Sequence, residues 1–295
     1  MKTRLRIQFM WLFPALLILA TGGLLSGCAE LASVAEIVGV DPSLVSLIKS
    51  FEDFTPEQEY YVGRTVGAMV LNQYPPYDNE QANAYLNLLG QALALASDTP
   101  EIFGGYHFLV LDSDDINALA APGGFIFLTR GMLRCAEHED AVAAILAHEI
   151  GHVQAKHGLQ AIKKSRVTGA LTNVAITGVK TYGDEDLAEL TTIFEDSIFD
   201  ITTTLIEKGY SRAFEKEADL IALTILQRLG YDPNGMIDML TVMNGRLQPG
   251  GLDFVKTHPD PEDRIAYIQE IIGPYAPVTA HNVRQQRFSA ALGGI

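Results

Sequence analysis

Apolar residues recur at helical spacing through most of this chain, and one interval switches to the pattern of buried strands. Ala82, Tyr85, Leu86, Leu89, Leu93 and Ala96 keep helical register, which predicts a helix from Asn79 to Ala96. An earlier helix starts at Thr55-Pro56-Glu57-Gln58, an N-cap followed by proline at the first helical position. It runs to about Gln73, before Pro75-Pro76 forbids continuation. Tyr106 to Leu111 reads as a mostly buried strand closed by the turn Asp112-Ser113-Asp114-Asp115. Ile116 to Gly131 then predicts a strand, a Pro122-Gly123-Gly124 turn and a second strand. Proline and paired glycine suit a sheet edge; such an edge either pairs with an extended peptide or belongs to an ordinary hairpin. Glu139 to His157 reads as one helix, buried on several faces by Ala141, Val142, Ile145, Leu146, Ile150 and Val153. Another continues from Ser211 through Leu220, Leu223 and Leu226 to a glycine cap at Gly230. Residues 163–209 fit a helical hairpin over a neighbouring site, a flexible lid or a lipid-touching surface, and are too short and interrupted for a membrane span.

The Glu139–His157 helix carries His148-Glu149-Ile150-Gly151-His152. Residues four apart stand one turn above each other on the same helix face, so both imidazoles can bind one zinc from the same side. Glu149, one step round, can hold a water and take its proton. Inward-facing His and Glu on a buried helix need a chemical reason, because unpaired polar groups there are costly. Glu215 and Asp219, also four apart, share a face of the Ser211–Gly230 helix, whereas Glu217 points elsewhere. That face can offer Glu215 as a third protein ligand. Asp219 can accept the N–H of a ligating histidine, His148 being the most plausible. Two histidines and a glutamate leave an open fourth position, the pattern of a catalytic rather than structural zinc. His107 and His138 lack a ligand partner at helical spacing and are expected to be structural or exposed.

The N-terminus changes the cellular picture. Lys2, Arg4 and Arg6 precede an apolar run from Phe9 to Leu25 and then Leu25-Ser26-Gly27-Cys28. This resembles a bacterial lipoprotein signal, in which the cysteine is acylated and becomes the new N-terminus; the alternatives are a plain signal peptide or an uncleaved signal anchor. Acylation of Cys28 would tether the mature chain to a membrane surface without a spanning helix. Ala29 favours the outer membrane by the same resemblance. The second of two cysteines, Cys135, would then have no disulfide partner and is expected to be a small buried residue. A formal net charge of −15 speaks against binding nucleic-acid phosphate or adhering to an anionic bilayer by charge.

Taken in order, Asn117-Ala118-Leu119-Ala120-Ala121-Pro122-Gly123-Gly124, Thr129-Arg130-Gly131, His148-Glu149-Ile150-Gly151-His152 and Glu215-Lys216-Glu217-Ala218-Asp219 resemble the HtpX-like and CAAX-prenyl-protease-like zinc metallopeptidases. Among them, the chain looks most like the periplasmic lipoprotein branch that includes BepA-like and LoiP-like proteins. The departures are Leu119, where an aromatic is common, and the lack of a tetratricopeptide pattern, which speaks against docking on an assembly machine through such repeats.

The resemblance implies an α+β fold: a mainly helical gluzincin-type domain with a small sheet whose edge strand borders the active-site cleft. It implies one zinc ion on His148, His152 and Glu215, with Glu149 as base and Asn117, Ala118, Leu119 and Ala120 as the substrate edge. It also draws in Thr257-His258-Pro259-Asp260-Pro261-Glu262-Asp263-Arg264. There Asp260 caps a helix starting at Pro261, and His258 faces the metal site, either to hydrogen-bond the oxyanion or to occupy the open position transiently. Arg264 would support His258 or the substrate carbonyl. The expected organisation is a signal peptide at 1–27, a lipidated tether at 28–54, the peptidase domain at 55–272 and a tail at 273–295. Expected substrates are unfolded or misassembled envelope proteins on the periplasmic side of the outer membrane, and outer-membrane assembly machinery is a candidate partner. The rival expectation is a non-proteolytic chaperone or assembly scaffold for outer-membrane proteins.

Overall fold

Local capping chemistry sets where the helices begin. The computed structural model describes residues 54–161, 202–246, 258, 260–279 and 281–295, all within one compact unit. The segments expected to be a signal peptide and a tether, with Cys28, lie outside the described residues as far as Phe54, as does most of 163–209. Helix α1, Pro56–Gln73, opens on a capping box: the Gln58 N–H donates to Thr55 Oγ1 at 3.2 Å, and the Thr55 N–H donates to Gln58 Oε1 at 3.0 Å. Helix α2, Glu80–Leu95, is capped by Asn79. Strands β1, His107–Leu111, β2, Ala118–Ala121, and β3, Phe125–Thr129, follow, with Pro122–Gly124 as a 3₁₀ turn between the last two. Gly123 and Gly124 have φ of 68° and 82°, the left-handed backbone that L side chains rarely adopt.

The fold is α+β, mostly helical, with one small mixed sheet ordered β1-β3-β2. β2 returns antiparallel to β3, pairing Ala118 with Leu128, while β1 runs parallel to β3, pairing His107 with Phe125. The two edges differ. Along β1, side-chain amides of α2 take the place of a further strand. Asn83 Oδ1 accepts the Val110 N–H, Asn87 binds both the N–H and the carbonyl of Phe108, and Gln91 donates to the Tyr106 carbonyl. These three amides stand one helical turn apart, so a helix can satisfy a strand edge that would otherwise invite pairing. β2 forms the other edge of the sheet.

Alternation along the strands divides the core. Ala118, Ala120, Ile126 and Leu128 join α2 and helix α4, Glu139–Gln154. Leu119, Ala121 and Phe127 join Val62, Val66 and Val70 of α1, together with Leu159, Leu205 and Ile206. Between sheet and α4 lies the short helix α3, Arg130–Leu133, capped by Thr129. α4 is buried from Glu139 to Val153, surrounded by α2, β2, α5 (Arg212–Leu229) and α6 (Asn234–Arg246). Ser211 caps α5, and Gly230 ends it in the left-handed conformation. Asp260 caps α7, Pro261–Ile272.

Two features differ from the sequence reading. α4 ends at Gln154 rather than at His157; Ala155 and Lys156 form a turn, and helical backbone resumes at 157. Residues 273–295 carry a further helix, α8, Asn282–Leu292, whose Ala291 and Leu292 enter the core. α8 grips the first turn of α4. Arg287 ion-pairs with Glu139, and Arg284 Nη1 lies 2.9 Å from Asp140 Oδ1. Glu139 also accepts from Tyr85 at 3.2 Å and Tyr231 at 2.9 Å. His138, expected to be structural or exposed, is the N-cap of α4: its Nδ1 accepts from the Ala141 N–H, and its Nε2 pairs with Asp238. His107 is exposed and stacks on Phe125.

Cys135 is fully buried, and burial pushes its thiol up to about 11 against the opposing charge of Arg246. At pH 8, iodoacetamide should therefore modify Cys135 only after denaturation, as read by mass mapping; labelling of the native protein within minutes would contradict this packing. Arg287→Ala removes the cation paired with a fully buried Glu139 while both tyrosines remain. The expected loss is about 1–3 kcal/mol, seen as a fall of roughly 3–8 °C in melting temperature. An unchanged melting curve would mean that the tyrosines alone satisfy Glu139.

Candidate metal centre

The site is built where two helix backbones nearly touch. A Cβ on Gly151 would lie 2.8 Å from the Ala218 carbonyl oxygen, so only glycine lets α5 approach α4 this closely. Glu215 and Asp219, flanking Ala218 along α5, then reach both histidines of α4. His148 Nε2 and His152 Nε2 are 3.1 Å apart. Glu215 Oε2 is 3.5 Å from His148 Nε2, and its Oε1 is 3.4 Å from His152 Nε2. His258 Nδ1 lies 2.6 Å from Glu215 Oε2. One donor atom from each of His148, His152, Glu215 and His258 falls within 4.8 Å of all the others, and all four residues are buried.

These residues fit a metal ion. Three imidazoles and a carboxylate are borderline-hard donors of the zinc type, and tetrahedral bonds of ~2.0 Å would separate donors by roughly 3.3 Å. The spacings of 3.1, 3.4 and 3.5 Å among His148, His152 and Glu215 match that separation. Among the described residues, buried Glu215 Oε1 and Glu149 Oε1 also have no hydrogen-bond donor, a cost that a cation and its attendant ligand would remove.

Electrostatics separate the candidate donors sharply. Burial opposes charge on His148, but the Asp219 carboxylate outweighs it and pushes the pKa up to about 9. Burial takes His152 down to about 3, with Glu215 opposing. Burial also works against the Glu215 charge, yet His258 and His152 hold that carboxyl well below its usual range. Glu149 is raised by burial, which His148 and His258 only partly offset.

Behind the donors, each α4 histidine has a partner for its other nitrogen. His148 Nδ1 lies 2.7 Å from Asp219 Oδ1. Asp219 in turn receives Arg264 Nε at 3.0 Å, Arg264 Nη2 at 2.6 Å and the Tyr267 hydroxyl. His152 Nδ1 lies 2.9 Å from His157 Nδ1, and Tyr210 stacks on the His152 ring at 4.5 Å. The structure thus brings His148, Glu149, His152, Glu215, Asp219 and His258 together. Arg264 is placed behind His148, 1% exposed and forked onto Asp219. In that position it braces the carboxylate that meets His148 Nδ1. Asn117 and the four residues of β2 are buried, and β2 packs against both α4 and the turn Thr204–Lys208.

The sequence reading missed His157, Tyr210 and Tyr267. Tyr267 had a visible signal, because it lies three residues after Arg264 and shares its helix face. Glu217 points away from the donors as expected, yet its Oε2 comes within 3.4 Å of His157 Nε2.

Comparison with known proteins agrees with this centre. The chain is 28% identical over 214 residues to the beta-barrel assembly-enhancing protease of Escherichia coli (strain K12), covering 70% of this chain and 41% of that protein. It is 25% identical over 275 residues to the mitochondrial metalloendopeptidase OMA1 of Schizosaccharomyces pombe, covering 89% of this chain and 72% of the relative. The chain thus spans less than half the length of the bacterial relative. Residues 80–272 match the profile of Peptidase family M48, almost two thirds of the chain and every residue of the donor set, and the chain belongs to that family of metallopeptidases.

Proposed function

We propose that this protein is a zinc metalloendopeptidase of the gluzincin type. The observation that carries the reading is the convergence of His148, His152 and Glu215 on one point, with the Glu149 carboxylate beside them. Zinc, when bound there, supplies a Lewis acid that polarises a carbonyl and makes water acidic enough to lose a proton near neutral pH. Glu149 is the base. Burial raises its pKa, so its carboxylate accepts a proton from the attacking water more readily than an exposed glutamate would, and returns it to the leaving amine. Asp219 and Arg264 hold the His148 ring with its Nε2 toward the donors. Asn117 to Ala120, along the β2 edge, align an extended peptide by backbone pairing. The turn Thr204–Lys208 packs against the same strand, with Leu205 and Ile206 in the cluster that holds Leu119 and Ala121.

His258 stands among the donors and completes a four-residue set. This favours a resting arrangement in which the fourth position is filled by protein, over a standing role in holding the oxyanion. A closed centre also keeps the rival reading in play, that of a chaperone or assembly scaffold without hydrolysis. The proposed substrates are unfolded or misassembled envelope proteins. Two facts support them: the bacterial relative is named for beta-barrel assembly, and the N-terminal segment has the lipoprotein pattern ending at Cys28. A lipid anchor on Cys28 would place the domain on the periplasmic side of the outer membrane. Among the described residues, no helix is long and apolar enough to cross a membrane.

Glu149→Gln should retain one equivalent of zinc and lower casein cleavage by about 10²–10⁴-fold. Full turnover by that variant would remove Glu149 from its role. Zinc retention and binding of an unfolded outer-membrane protein, with no hydrolysis even by the wild type, would favour the scaffold. His258→Ala should raise basal casein cleavage severalfold at unchanged zinc content, whereas a fall in kcat would assign His258 to the oxyanion instead.

A further inference from the structure

The two histidines of the HExxH helix are backed differently, and the difference points to a residue that the motif does not contain. His148 leans on a carboxylate, as zinc-ligating histidines commonly do. His152 leans on another imidazole: the Nδ1 atoms of His152 and His157 are 2.9 Å apart, and His157 is fully buried. We propose that His157 is a positioning residue for His152, accepting the His152 Nδ1–H and so turning the His152 Nε2 lone pair toward the donor cluster. The proposal rests on reading that cluster as a metal centre.

Proton placement follows from the geometry. His152 Nε2 faces Glu215 Oε1 at 3.4 Å and His148 Nε2 at 3.1 Å, and a nitrogen that binds a cation carries no proton. The neutral ring then holds its proton on Nδ1, which faces His157 Nδ1. His157 therefore accepts at Nδ1 and carries its own proton on Nε2, which lies 3.4 Å from Glu217 Oε2. Donors and acceptors run in one direction along this chain and end on a carboxylate. The ring plane of His157 is held by Phe214, stacked at 4.3 Å with an interplanar angle of 12°.

The fold goes out of its way to make this contact. In an unbroken helix, a residue five positions beyond His152 would stand roughly 140° round the axis and face elsewhere. Here α4 stops at Gln154, and Lys156 takes φ of 55°, the one positive φ among non-glycine residues described. Lys156 Nζ is tied to Glu59 Oε2 at 3.1 Å. The chain then turns back into helix at 157, with His157 under His152.

The test uses the full chain and two substitutions. His157→Phe keeps a ring to stack on Phe214 but has no acceptor; His157→Asn loses the ring but places an oxygen near the position of Nδ1. Zinc affinity by chelator competition should weaken about 10–100-fold in His157→Phe and stay within roughly threefold of wild type in His157→Asn. In ¹⁵N NMR of the zinc-loaded protein, the His152 Nδ1–H signal should be kept by His157→Asn and lost or shifted by His157→Phe. If the wild type binds one zinc and His157→Phe binds it equally well, His157 is only a packing residue and the inference fails alone. If His157→Asn weakens binding as much as His157→Phe, the acceptor is not what matters, and the inference also fails. A wild type that binds no zinc would bring down the metal-centre reading and this inference with it.

Discussion

Everything in the site depends on the contact between Gly151 and Ala218. Two helices whose backbones come this close exclude any larger side chain from the seam, and the residues on either side of it are forced into one another's reach. Glu215 lies about a turn before Ala218 and reaches the Nε2 atoms of both histidines, while Asp219, next along, reaches the far side of His148. The donor spacing is therefore a consequence of helix packing rather than of flexible side chains finding one another. A single glycine in the second variable place of the motif does the geometric work that brings the third donor in from 63 residues away.

A buried centre of this kind carries several ionisable groups out of water, and the structure pairs them closely. Asp219 is held by His148, Arg264 and Tyr267, and Glu215 by three imidazoles. At the opposite end of α4, Glu139 and Asp140 are held by Arg287, Arg284, Tyr85 and Tyr231. Helix α4 is thus pinned at both ends by charged contacts and packed on all sides in between. A helix held in this way keeps its side chains fixed, which is the preorganisation that the proposed chemistry would need.

What could be read in the sequence was the chemistry that acts over a few residues. Thr55 and Asp260 cap the helices their side chains suggested, and the four-residue spacings of His148–His152 and Glu215–Asp219 survive as shared faces. What could not be read depended on backbone states or on distant partners. Lys156 does not advertise a left-handed conformation, so the early end of α4, and with it His157, stayed hidden. Asn83, Asn87 and Gln91 look like ordinary solvent-facing amides until β1 is laid beside them, and α8 looks like a tail until Arg284 and Arg287 find their carboxylates. The fork of Arg264 on Asp219 was not read either, because sequence spacing fixes a helix face and not what lies across from it.

The most direct test of the account is a crystal structure of the zinc-soaked protein, with the ion located by its anomalous scattering. One peak should lie about 2.0–2.2 Å from His148 Nε2, His152 Nε2 and a Glu215 carboxylate oxygen together. A zinc ion bound to the two histidines with Glu215 turned away, or bound at another place altogether, would contradict it.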